Sequence, residues 1–181
     1  MSLAAHYGPV TWDDVQALPP DGRRYESIGG MLTVTPSPNA WHQLCVVRMV
    51  LLLTGAALED MLVLTAPFDW YVSQIEWFEP DVVVLQKEDV DADGRLRTPP
   101  VLVVEVASPS TRLYDLNVKR AAYAANGCPH YWIVDPDEPS LLALSLDGGA
   151  YGEVGSVSGT EVFPATSPFP VEVCPAELVA L

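Results

Sequence analysis

Three residues of this chain combine type and spacing in a way that suggests chemistry: Asp81, Glu105 and Lys119. Asp81 stands in Glu79-Pro80-Asp81, ahead of the apolar run Val82-Val83-Val84-Leu85. Glu105 follows Val101-Leu102-Val103-Val104, a run apolar enough to be a buried strand. Lys119 comes 14 residues later, in a segment with a helical pattern. A carboxylate at the end of a buried strand needs a partner, because burying an unpaired charge costs several kcal/mol or more. Two carboxylates and one lysine are what a divalent cation and an attacking water require, so the trio suggests metal-dependent phosphodiester hydrolysis.

Each of these residues also has an ordinary explanation. Asp81 could be a turn acid after a proline, and Lys119 could lay its stem on the helix and extend its ammonium into water. Leu116, Lys119 and Tyr123 share one helical face, which must turn inward, and the functional reading of Lys119 prevails because Glu105 ends the preceding strand. Glu26, in Arg24-Tyr25-Glu26-Ser27-Ile28, reads by alternation as a surface strand residue when taken alone. Asp115, four residues before Lys119, reads as half of an exposed helix pair, which is worth little. His6, His42 and His130 are scattered and have no cysteine partners, so no zinc site is expected. His42 reads as a capping or core histidine. Phosphate-binding glycine loops, dinucleotide fingerprints and Gly-x-Ser-x-Gly elbows are absent.

The elements that must position these residues can be outlined. Thr11 caps a short helix. Residues 24–28 and 31–35 form a hairpin about Gly29-Gly30. Pro36-Ser37-Pro38 interrupts the chain, and Asn39 caps a long apolar helix over 40–58. Strands are expected at 61–65, 68–72, 81–86 and 101–105. Ser108-Pro109-Ser110-Thr111 opens a helix running to residue 125, which Asn126-Gly127 closes. A buried strand over 131–134 follows, then a hairpin about Asp147-Gly148-Gly149 and a short helix from Pro175. The pattern is α+β, a mixed sheet with one helix before its strands and another among them, in a single domain over 1–181.

Composition narrows the function. Hydrophobic residues make up 49% of the 181 and charged residues 18%, which describes a packed globular chain. No apolar run reaches membrane-spanning length, and the first residues do not read as a signal peptide, so a cytoplasmic location and no membrane partner are expected. Three widely spaced cysteines suit a reducing compartment. The net charge is −15; all nine Lys and Arg lie within the first 120 residues, and residues 121–181 hold eight acids. Such a surface repels polyanions and argues against an avid, general DNA binder.

The stretch Glu105-Val106-Ala107-Ser108-Pro109-Ser110-Thr111-Arg112, with Asp115-Leu116, Lys119-Arg120, Tyr123 and Gly127 through Pro136, resembles the Uma-two family of restriction-endonuclease-like proteins. Tyr25-Glu26, Gly30, Pro36-Ser37-Pro38, His42 and Pro80-Asp81 extend the resemblance upstream. It implies a fold similar to the PD-(D/E)XK nucleases, a mixed central sheet flanked by helices, here with additional β-hairpins. It further implies that Asp81 and Glu105 bind Mg2+ (or Mn2+), that Lys119 is the catalytic lysine and that Glu26 is an auxiliary acid. That superfamily's usual lysine position holds Ala107 here, and the family uses a lysine displaced to the next helix, which Lys119 matches. His130 stands where family members often carry glutamate. The expected substrate is nucleic acid, DNA first, or a small nucleotide, with Arg112 and Arg120 as substrate-binding residues in a basic rim with Arg23 and Arg24. The alternative is a non-catalytic binding or assembly protein on the same fold. A homodimer would suit an apolar, β-rich surface.

Overall fold

The computed structural model describes residues 8–35 and 37–180. His6 and Pro36, noted above, lie outside the described residues. The fold is α+β. A six-stranded mixed sheet has the order β10 (Ala150–Ser158), β9 (Ser140–Asp147), β8 (His130–Asp135), β7 (Leu102–Val106), β6 (Val82–Gln86), β3 (Met61–Thr65), and a four-stranded antiparallel sheet has the order β2 (Met31–Thr35), β1 (Arg24–Ile28), β5 (Glu76–Phe78), β4 (Trp70–Ser73). A two-stranded ribbon, β11 (Phe163–Ala165) with β12 (Val171–Val173), completes the strands.

The large sheet is built around β6 (Val82–Gln86), β7 (Leu102–Val106) and β8 (His130–Asp135). β7 and β8 run parallel, and the other pairs in this sheet are antiparallel. Every residue of β7 is buried, because both faces of the sheet are covered. Val82, Val84, Leu102, Val104 and Trp132 pack with Cys45, Val46, Met49 and Leu53 of α2 (Ala40–Ala56). The alternate residues Val83, Leu85, Val103 and Tyr131 pack with Tyr123 of α3 (Arg120–Ala125) and with Trp70 and Phe78 of the small sheet. Alternation along each strand thus divides the core in two, and β6 through β8 are apolar on both faces because they divide it.

The other elements fall close to expectation. Thr11 caps α1 (Trp12–Gln16), with a reciprocal bond from Asp14, and Asn39 caps α2 through the His42 backbone N–H. β1 (Arg24–Ile28) and β2 (Met31–Thr35) pair about Gly29-Gly30, and β9 (Ser140–Asp147) and β10 (Ala150–Ser158) about Gly148-Gly149. All four glycines have φ between 57° and 87°, the left-handed values a two-residue hairpin loop requires. β3 is Met61–Thr65, and α4 is Pro175–Val179.

Some expectations need correction. The strand expected over 68–72 is β4 (Trp70–Ser73), and it turns back into β5 (Glu76–Phe78), which the sequence reading missed. Three-residue strands such as β5, β11 and β12 are too short to show alternation. The strand bearing Glu105 continues to Val106. The helix expected after Ser108-Pro109-Ser110-Thr111 runs over residues 112–125, but it is π-helical over Tyr114–Lys119, before α3.

Candidate active site

A cleft of about 410 Å3 opens between β2, the start of α2 and the chain that follows β7. Its floor is charged. Glu26, Asp81, Glu105 and Asp115 line it, together with the cations Arg24 and Lys119 and the imidazole of His42. The sheet register brings the first acids together. β6 and β7 pair Val82 with Val104, and one further antiparallel step sets Asp81 opposite Glu105. The Val106 N–H donates to Asp81 Oδ2 at 2.9 Å, fixing the carboxylate against the end of β7.

Lys119 comes from the last residue of the π-helical segment and is only 4% exposed. Its Nζ lies 2.9 Å from Glu105 Oε1 and 3.0 Å from Glu26 Oε1. The Tyr123 hydroxyl, one turn further on, donates to the same Glu105 oxygen at 2.6 Å. Glu26 Oε1 also accepts the Glu79 backbone N–H at 3.0 Å. Among the described residues no hydrogen bond engages the second oxygen of Glu105 or of Glu26. The ammonium has three donors, hydrogen-bonds Glu105 and ion-pairs with Glu26, so at least one donor remains for a ligand.

A second set of contacts holds Asp81. Arg24 Nη1 donates to its Oδ1 at 3.0 Å, and His42 Nε2 lies 3.2 Å from its Oδ2. Arg24 also donates to the Glu79 carbonyl and sets Nε 2.8 Å from Glu79 Oε1, an ion pair not aligned as a hydrogen bond. His42 Nδ1 is buried and has no hydrogen-bond partner among the described residues.

Burial and crowding spread the ionisation of these groups. Burial raises Glu105 well above the ordinary carboxylate range; Lys119 opposes that, while Asp81, Asp115 and Glu26 add to it. Burial likewise raises Asp115 to about 6, against the pull of Lys119. Burial would lower Lys119, but the surrounding acids, Glu105 first, hold it well above an ordinary lysine, so it stays charged. Burial acts to raise Asp81 too, yet His42 and Arg24 hold it below the carboxylate range. Asp81 is thus held in its charged form, while burial and the neighbouring acids disfavour charge on Glu105, a repulsion that a bound cation would relieve.

The structure thus brings Asp81, Glu105, Lys119 and Glu26 into one cleft. The surface reading of Glu26 is overturned: it is 1% exposed, because β1 turns it under the π-helical segment toward Lys119. The exposed-pair reading of Asp115 is overturned too, at 2% exposure, since Asp115 lies on the cleft side of that segment. Of the expected basic rim, only Arg24 lines the cleft. Arg112 pairs with Asp135 at 2.9 Å, Arg120 donates to the Tyr151 carbonyl, and Arg23 lies near Asp21. Sequence reasoning missed His42 as a site residue. The available signal was its place three residues after Asn39, in the first turn of a helix that opens onto the cleft.

The donor chemistry suits a hard cation: carboxylate oxygens, one of Glu105 unengaged, in a floor with more acids than fixed cations. Among the described residues no three His, Cys, Asp or Glu side chains are arranged as a ready-made metal cage. Mg2+ does not require one, since it commonly binds through one or two carboxylates, waters and substrate phosphate.

A mixed sheet, two facing carboxylates at its strand ends and a buried lysine from the next helix define a restriction-endonuclease-like protein. The chain belongs to the Uma2 family, described as "Putative restriction endonuclease", whose model matches residues 12–177. A crystal structure of a "putative nuclease belonging to DUF820" from Anabaena variabilis is similar in fold, with a TM-score of 0.73. It shares 17% sequence identity, and the match covers 94% of this chain and 98% of that one. No curated protein matches the chain in sequence.

Proposed function

We propose that this cleft hydrolyses phosphodiester bonds of nucleic acid with a divalent cation, Mg2+ first and Mn2+ next, held by Asp81 and Glu105. The observation that supports this most is Lys119, a charged ammonium fixed between Glu26 and Glu105 with one donor to spare. When bound, the metal supplies Lewis-acid neutralisation of the phosphate and a more acidic water. The chain's own groups do the rest. Lys119 directs its third N–H at the attacking water or a phosphate oxygen, where negative charge grows in the transition state. Glu26 holds the ammonium in place through Oε1, and Tyr123 fixes the Glu105 carboxylate so that its other oxygen faces the cleft. The water oxygen bonds to phosphorus, the bond to the leaving sugar oxygen breaks, and the water's proton ends on that oxygen, giving a phosphomonoester and an alcohol.

Arg112 and Arg120 are the proposed contacts to flanking phosphates, Arg112 being half-exposed beside Thr111 at the mouth. Each must first release its internal partner. We propose a homodimer as well: Val47 and Leu51 are 52% and 67% exposed on α2, whose single charged residue, Arg48, is bound to the Glu177 carbonyl. A chain of net charge −15 would meet its own copy with least repulsion over such a face.

The test is cleavage of single-stranded, duplex and supercoiled DNA, RNA and dinucleotides with Mg2+, Mn2+ or EDTA, alongside metal titration of the wild type, Asp81→Ala and Glu105→Ala. At least one substrate is cleaved with metal and spared with EDTA, and both variants lose metal binding. No cleavage of any substrate, with metal still bound, would favour the non-catalytic binding protein.

A further inference from the structure

The proposed hydrolase reading leaves the kind of nucleic acid open, and the cations of this chain bear on it. All nine Lys and Arg lie within the described residues, and every one is already engaged inside the protein. Arg24 and Lys119 hold the floor acids. Arg23 pairs with Asp21, Arg97 with Asp91 and Arg112 with Asp135. Arg48, Lys87 and Arg120 donate to the carbonyls of Glu177, Glu59 and Tyr151. Arg95 lies over the Trp12 ring at 5.7 Å. A protein that tracks duplex DNA commonly neutralises about 6–10 phosphates with such side chains. Here no row of cations is free to do so.

What the cleft offers instead is neutral. Thr33, Asn39, Ser108, Thr111 and the ring and hydroxyl of Tyr114 line its walls above the charged floor. These hydroxyls and the amide have internal partners but keep further donors or acceptors, which suit sugar hydroxyls and base edges, and an aromatic ring suits one stacked base, worth roughly 1–3 kcal/mol. The Tyr114 hydroxyl sits 3.1 Å from Thr33 Oγ1, so β2 and the π-helical segment meet across the cleft. The volume of about 410 Å3 is that of a small-molecule site rather than a groove for a duplex.

We infer that the cleft takes a phosphodiester flanked by one or two nucleosides, either a free dinucleotide or the unpaired end of a single strand. The surface outside the cleft adds little to binding, because among the cations only Arg24 and Lys119 line the cleft and the others are partnered within the protein.

The experiment is calorimetric binding, in Mg2+, of a hydrolysis-resistant phosphorothioate dinucleotide, a 20-nucleotide single strand and a blunt 20-base-pair duplex over a range of salt. The dinucleotide binds, and the duplex binds at least tenfold more weakly than the dinucleotide. The log–log salt slope stays shallower than about −2, as two phosphate contacts at most would give. Tyr114→Ala weakens the dinucleotide at least tenfold, and Tyr114→Phe, which keeps the ring, restores most of it. A linear strand that binds as the dinucleotide does, and stops binding once circularised, marks a strand-end site; a linear strand as weak as the duplex marks a free-dinucleotide site. Duplex binding as tight as that of the dinucleotide, a slope steeper than about −4 or no dinucleotide binding overturns the inference. Metal-dependent cleavage of the duplex with no dinucleotide binding would leave the hydrolase reading intact. Dinucleotide binding with no turnover of the normal phosphodiester would do the opposite.

Discussion

Lys119 is the residue on which most depends. A buried ammonium among four acids serves their electrostatics in the resting protein and, by its third donor, the transition state of the proposed reaction. Lys119→Ala should lower the cleavage rate by roughly 100- to 1,000-fold, the usual cost of losing one such electrostatic contact. Metal affinity should hold, which separates the lysine's role from ligation; full activity in this variant would remove Lys119 from the mechanism. His42 makes a different prediction. Its Nε2 lies against an Asp81 oxygen, so under the proposed function it would act on the metal through that ligand. His42→Ala should weaken Mg2+ binding by about 10- to 100-fold, as loss of an outer partner commonly does, and titration calorimetry measures it. Unchanged affinity would leave His42 with a packing role.

At the scale of elements, β7, the π-helical segment and α3 deliver Glu105, Lys119 and Tyr123 as one piece of chain. A π-helical turn departs from the 3.6-residue repeat and is enriched at functional sites. Tyr123 links the piece to the core: its ring packs against Trp70, Phe78 and Tyr131 while its hydroxyl meets Glu105. Tyr123→Phe keeps the ring and removes the hydrogen bond, so it should cost about 1–3 kcal/mol, read as a lower denaturant midpoint at unchanged slope. These elements also show why some of the fold was legible in the sequence and some was not. β6, β7 and β8 are continuous apolar runs, and the helix caps and Gly-Gly hairpins are local chemistry, so they could be read residue by residue. Asp81 and Glu105 stood out because a carboxylate beside such a run demands a partner. Glu26 and Asp115 misled, because their burial comes from β1 and the π-helical segment meeting across the cleft, a contact that no local pattern records. The Asp81 contacts of Arg24, expected only in a basic rim, and of His42 were hidden for the same reason: each reaches Asp81 from a distant part of the chain.

For the whole molecule, the excess of acid governs stability as well as substrate. Burial raises Asp69 and Asp115 to about 6 and Glu79 to about 7, above their values in an unfolded chain. The folded state therefore binds more protons than the unfolded state between about pH 4 and 7, and stability falls as pH rises through that window. Asp81 has the opposite sign, but its contribution is lost only below its unfolded value of 3.8, outside the window. Growing repulsion within a chain of charge −15 adds to the fall. Thermal unfolding without metal should show a higher Tm at pH 5 than at pH 8 by several degrees, since about 1 kcal/mol moves Tm by roughly 2–4 °C at this chain length. Asp69→Asn, outside the cleft, should flatten the profile by replacing a half-buried acid with a group that never ionises, and its Tm at pH 8 should exceed that of the wild type. A Tm that rises from pH 5 to pH 8 in the wild type would mean that these acids ionise at little cost in the fold.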